Sequence, residues 1–130
     1  MDLPDFAPGL TARVELTVTD ADTAQSLGSG DVPVLGTPRV LALAETATVA
    51  ATTRQMPGGL TTVGTRAEVE HRKPTPVGHR VTALATLAKV DGRKLLFEVA
   101  VRDGEELVAE VRVERVVLDR QRFIAGALGD

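Results

Sequence analysis

The sequence has no cysteine, no tryptophan and no tyrosine, and its only aromatic residues are Phe6, Phe97 and Phe123. Without cysteine there is no disulfide, no zinc-thiolate site and no cysteine nucleophile. With so few aromatic rings, stacking on nucleic-acid bases has little to work with. Positive charge is scarce too: 15 Lys and Arg against 18 Asp and Glu leave a net charge of −3, with no long basic block. That argues against a nucleic-acid partner. No apolar run is long enough to span a bilayer, so no membrane partner is expected. The opening Met1-Asp2-Leu3-Pro4-Asp5 has neither the basic region nor the apolar run of a secretory signal, so the expected location is the cytoplasm. No metal site is expected.

What is present fits one globular domain over residues 1–130, with 43% hydrophobic residues and enough length to bury a core. Residues 37–50 organise it. Thr37 suits a helix N-cap and Pro38 the first helical position. Ala, Leu and Val then follow nearly all round, which predicts a core helix. Glu45 interrupts them, with no Lys or Arg at three or four residues' distance. A buried, unpaired carboxylate is costly, so Glu45 finds a partner elsewhere, does chemistry, or faces water. Pro57, Gly58 and Gly59 end the helix after residues 52–55.

Residues 10–19 alternate apolar and polar as a half-buried strand. Residues 20–36 read as a mobile loop with a short helix at 22–27. Beyond the long helix the pattern is strand after strand: 60–72, 79–90, 93–102 and 105–119. Turns at 73–78, Asp91-Gly92 and Asp103-Gly104 separate them. On the 60–72 strand, Val63, Thr65, Ala67, Val69 and His71 fall in phase on one face. Residues 120–130 are a short helix or a disordered tail. A strand, a long apolar helix and four antiparallel strands define an α+β chain. Its expected form is the hot-dog fold: a long central helix wrapped by a five-stranded antiparallel sheet. A cystatin-like sheet is the main alternative, and a parallel α/β sheet is disfavoured by the single long helix.

Three stretches carry a family resemblance: Gly36-Thr37-Pro38 with Glu45 in the helix, Thr62-Val63-Gly64-Thr65, and His71 followed by Pro74-Thr75-Pro76-Val77-Gly78. From residue 10 to about 123 the chain resembles the hot-dog acyl-CoA thioesterases, and within them the fluoroacetyl-CoA-specific subfamily. The resemblance implies that Thr37, Glu45 and His71 form a catalytic trio and that Gly64 lines the thioester site. It implies an acyl-CoA thioester as substrate, with coenzyme A as part of that substrate and no other cofactor. In the subfamily, phenylalanines in the lid before the threonine are associated with acyl discrimination. Residues 20–36 hold none, so a different or broader acyl group is expected.

The chemistry is consistent with the resemblance. Thioester hydrolysis needs an activated nucleophile, a proton shuttle and stabilisation of the oxyanion. A carboxylate in an apolar helix is a candidate base. A histidine on the apolar face of its strand points at the helix, although such residues are more often simply core. Thr37 lies where the helix N-terminus favours developing negative charge, either as nucleophile or as a group positioning water. Gly64 inside a strand marks a bulge or a close ligand approach. Arg115 is in phase with Val111, Val113 and Val117, so it turns inward. It needs a substrate carboxylate, a coenzyme phosphate or an internal acid, unless a bulge turns it outward. Arg72, Lys73, His79 and Arg80 gather at one turn, as phosphate ligands or as plain surface.

Two other functions stay open. A hot-dog hydratase or dehydratase also pairs a strand histidine with a helix acid, but residues 32–36 lack its usual histidine. The other is a non-catalytic acyl-CoA binding domain. Thr37 and Glu45 lie about 12 Å apart along the helix, at ~1.5 Å per residue, too far for one thioester carbon. A homodimer with shared active sites is therefore expected.

Overall fold

The computed structural model describes residues 2–129. Strand β1 (Thr11–Thr17) leads through a 3₁₀ turn (Asp20–Asp22) and the short α1 (Ala24–Leu27) to the long α2 (Thr37–Thr53). Four strands follow: β2 (Leu60–His71), β3 (Arg80–Asp91), β4 (Lys94–Asp103) and β5 (Glu106–Asp119). The tail is an eight-residue helix, α3 (Arg120–Ala127). All strand pairs are antiparallel, in the order β1-β3-β4-β5-β2, so β1 and β2 are the edges. The β3–β4 hairpin turns where the Asp91-Gly92 signal falls, with Gly92 at φ 58°. This is the expected α+β hot-dog arrangement. No helix among the described residues is long and apolar enough to cross a membrane.

Alternation along most of β3, β4 and β5 turns Val81, Ala83, Leu87, Phe97, Val101 and Val113 inward. They pack on Val40, Leu43, Ala44, Ala47 and Ala51 of α2. Burying one such side chain stabilises by about 1.5–3 kcal/mol, which pins the helix across the sheet.

Four local expectations change. First, Gly36, not Thr37, is the N-cap of α2, and Pro38 is the second helical residue. Gly36 is held by its N–H to the Asp22 carbonyl at 2.9 Å. Second, α2 is not buried all round. Pro38, Ala42, Thr46, Val49 and Ala50 are exposed, because the sheet covers one side only. Third, the 20–36 loop is tied down at both ends. Thr23 bridges Leu35, Val34 bridges Pro76, and Asp22 pairs with Arg39 on α2 at 3.0 Å. Burial pushes the Asp22 carboxyl up. Hydrogen bonds from the Thr19 backbone and hydroxyl and from Arg39 outweigh that and hold it below its usual range. Fourth, β2 does not keep one phase. Its register with β5 shifts between Gly64 and Arg66, and this bulge turns Gly64 to the side of Ala67, Val69 and His71.

Candidate active site

Thr37 occupies the first turn of α2, and the cap at Gly36 leaves its hydroxyl free of capping duty. That hydroxyl lies 2.8 Å from His71 Nδ1, at the end of β2. His71 Nε2 is buried and has no hydrogen-bond partner among the described residues. Burial pushes the imidazole below its ordinary value of 6.5, opposed in part by the backbone of Lys73. A neutral ring can accept the threonine proton at Nδ1, and this is the geometry of a nucleophile and its base. The pair opens into a pocket of about 320 Å³, bounded by Gly30, Val32, Val34 and Gly36 of the loop and by Lys73 and Pro74 of the turn.

Glu45 stands two turns further along α2, and it is neither deeply buried nor unpaired. Its side chain is 39% exposed and accepts from Arg115 Nη1 at 2.9 Å. Arg115 does turn inward and is 6% exposed. Of its three conceivable anionic partners, it meets the internal acid. Its Nε donates to the Thr62 hydroxyl at 2.9 Å and its Nη2 to the Thr62 carbonyl at 3.0 Å. Thr62 was not legible as a site residue, because the bulge that brings Thr62 and Gly64 into phase with Ala67, Val69 and His71 leaves no hydrophobic trace. Gly64 faces Arg115 across the ladder. A β-carbon there would overlap Glu45 Oε2, so the bare backbone makes room for the carboxylate.

The five predicted residues therefore form two groups within one chain: Thr37 with His71, and Glu45 with Gly64 and Arg115. Both lie along edge strand β2. Each member of the basic cluster around the 73–78 turn has a carboxylate neighbour. Arg72 is 2.6 Å from both Glu70 and Glu110, and Lys73 is 3.6 Å from Glu106. His79 is 2.7 Å from Asp103, and Arg80 is 3.7 Å from Glu15.

A long helix laid across this five-stranded antiparallel sheet defines the class as a hot-dog protein. The chain belongs to the fluoroacetyl-CoA-specific thioesterase family, whose model matches residues 18–121. It is 34% identical over 92 residues to the fluoroacetyl-CoA thioesterase of Streptantibioticus cattleyicolor, a match spanning 71% of this chain and 66%, just under two thirds, of that relative. Among solved structures, a threonine-to-serine variant of fluoroacetyl-CoA thioesterase in complex with acetyl-CoA superposes with a TM-score of 0.90. It is 27% identical, with 95% of this chain and 98% of that one covered. A thioesterase superfamily member from Thermus thermophilus superposes at 0.85, 25% identical, with 92% and 88% covered.

Proposed function

We propose that this protein hydrolyses a small acyl-CoA thioester to the free acid and coenzyme A, as a homodimer with shared active sites. The observation that carries the reading is the Thr37 hydroxyl at 2.8 Å from His71 Nδ1. In the proposed reaction the hydroxyl oxygen, relieved of its proton by His71, adds to the thioester carbonyl carbon. The carbonyl oxygen becomes negative beside the N-terminal end of α2, where the helix dipole favours negative charge. The C–S bond breaks, and the imidazolium returns its proton to the departing thiolate of coenzyme A. A water molecule then gives a proton to Glu45 of a second chain while its oxygen adds to the acyl-threonine carbonyl; the ester C–O bond breaks, the Thr37 oxygen takes the proton back from Glu45, and the free acid departs. No cofactor is needed beyond the coenzyme A of the substrate itself.

Three features support the dimer. β2 is a 12-residue edge strand, and unpaired edges of that length invite pairing. The exposed side of α2 carries Pro, Ala, Thr and Val and a single acid, Glu45. Antiparallel self-pairing of β2 about a two-fold axis at Glu68 opposes Ala67 with Val69 and, past the bulge between Gly64 and Arg66, sets Gly64 of one chain across from His71 of the other. Glu45, seated at Gly64, then approaches the second chain's Thr37–His71 pair.

The test is a panel of acyl-CoA esters followed by released thiol, with an enoyl-CoA followed for hydration in parallel. Thiol release that Thr37→Ala abolishes and His71→Ala reduces is the expected result. Hydration without thiol release replaces the reading with a hydratase. Binding with neither leaves an acyl-CoA sensor.

A further inference from the structure

Asp22 and Arg115 are the two buried charged side chains among the described residues. Arg115 serves Glu45, whereas the proposed reaction gives Asp22 no part. Both oxygens of the Asp22 carboxylate are engaged. Oδ2 accepts the Thr19 N–H at 2.8 Å and the Thr19 hydroxyl at 3.0 Å, and Oδ1 accepts Arg39 Nε at 3.0 Å. The Asp22 carbonyl accepts the Gly36 N–H at 2.9 Å. One residue thus holds the chain at two points that flank Thr37, directly before it and two residues after it. The same stretch is tied on its other side, where the Leu35 N–H binds the carbonyl of Thr75, four residues beyond His71, at 2.9 Å. Gly36 leaves no slack, because a β-carbon there would lie 3.0 Å from the backbone of Ala24. Thr37 and His71 are 34 residues apart in the chain, and these ties join their two elements where the hydroxyl meets the ring.

Stability does not account for the pair. Apolar side chains of similar volume often replace a buried ion pair with no loss of stability, and the Arg39 side chain is 29% exposed, so water screens part of its attraction. Placement does account for it, because a displacement of about 1 Å between reacting groups costs on the order of a hundredfold in rate. We propose that Asp22 and Arg39 are positioning residues: they clamp the first turn of α2 so that the Thr37 hydroxyl meets His71 Nδ1, and they act on the rate of acyl transfer rather than on substrate binding. The proposal rests on the thioesterase reading.

The test uses Arg39→Met, which keeps the stem and removes the guanidinium, Arg39→Lys, which keeps the charge, and Asp22→Asn. Thiol release is followed with the acyl-CoA that the native protein cleaves fastest, at a temperature where circular dichroism shows each variant folded. In Arg39→Met kcat should fall roughly ten- to a hundredfold while KM stays within about twofold, because misalignment slows the step without weakening binding. Arg39→Lys should recover most of the rate. Asp22→Asn/Arg39→Met should be no slower than the worse single variant, since both changes release one clamp. Native kcat in folded Arg39→Met overturns the proposal, whether KM holds or rises.

A second readout needs no substrate. The chain has two histidines, so each imidazole can be titrated by NMR. Burial pushes His71 below 6.5, and a released clamp admits water to the ring and moves its midpoint up toward 6.5. Arg39→Met removes a positive charge and Asp22→Asn a negative one, so a field acting through space would shift His71 in opposite directions. A rise in both marks lost geometry. Where Asp22→Asn fails to fold, high salt makes the same distinction, because it screens a field and leaves an exposed ring exposed. Arg72 and Lys73, which line the same pocket, keep their carboxylates in each variant. His79, 2.7 Å from Asp103, is the reference. If the native protein releases no thiol from any acyl-CoA, the thioesterase reading fails on its own and this titration decides. A rise in the His71 midpoint that is common to both variants, or that persists at high salt, supports the clamp; an unchanged midpoint or opposite shifts overturn it.

Discussion

Glu45 shows how a partner 70 residues away alters the meaning of one side chain. From the sequence alone, replacing it with glutamine removes a costly buried charge. In the structure the same change strips Arg115 of its carboxylate while the guanidinium stays 6% exposed. Glu45→Gln should therefore abolish turnover and also lower stability by about 1–3 kcal/mol, read as a drop in melting temperature. Adding Arg115→Met should restore most of the melting temperature and none of the turnover. Glu45→Gln with native turnover would end its assignment as the base. For His71, burial depresses the imidazole, so the neutral, proton-accepting form persists below pH 6.5. The acid limb of kcat/KM should lie below the ordinary histidine range and vanish in His71→Ala, whose residual rate is flat there. The unfolded state binds the His71 proton first as pH falls from 6.5. That contribution to stability is thus present above 6.5 and lost on acidification through the folded value. A limb at or above 6.5 would show that the ring is not the group being titrated.

Regular elements were legible because each has a period: alternation marked β3 to β5, and the long apolar stretch marked α2. What departed from the period was not. The β2 bulge after Gly64 has no hydrophobic signature, so simple alternation assigned Val63 and Thr65 to the face that Gly64 occupies. The loop looked mobile because Asp22 gives no local hint of Arg39, 17 residues on. The family resemblance singled out Thr37, Glu45, His71 and Gly64, but not how they divide between the two ends of an edge strand. Gly64 offers a test of that element. An added β-carbon meets only the far end of the flexible Glu45 side chain, with Arg115 Nη1 at 3.4 Å. The fold can accommodate this by turning the carboxylate away, and the chemistry cannot. Gly64→Ala should cost at most about 1–2 kcal/mol of stability, in the usual range for a single substitution, and reduce kcat more than tenfold. A loss of stability with native kcat would make Gly64 a purely structural bulge residue.

At the scale of the whole molecule, one chain carries two separate groups, Thr37 with His71 and Glu45 with Arg115, along the edge strand β2. Thr37 and Glu45 are fixed on one rigid helix, eight residues and about 12 Å apart, while His71 and Arg115 hold each in place at 2.8 and 2.9 Å. Neither can reach the other without breaking its own contact. In the proposed dimer a two-fold axis across β2 would resolve this by placing unlike ends together twice. The arrangement makes a definite statement about mixtures. Thr37→Ala homodimers and Glu45→Ala homodimers each lack one member of every site and should be inactive. In a mixed dimer with shared sites, one site lacks both residues and the other retains both. Activity should therefore reappear on subunit exchange, approaching one quarter of native at equal proportions, since half the dimers are mixed and each has one intact site. Mass spectrometry of differently tagged chains establishes that exchange has occurred. Mixed dimers that stay inactive would place the whole trio within one chain, and Thr37 and Glu45 would then have to meet through a rearrangement of α2.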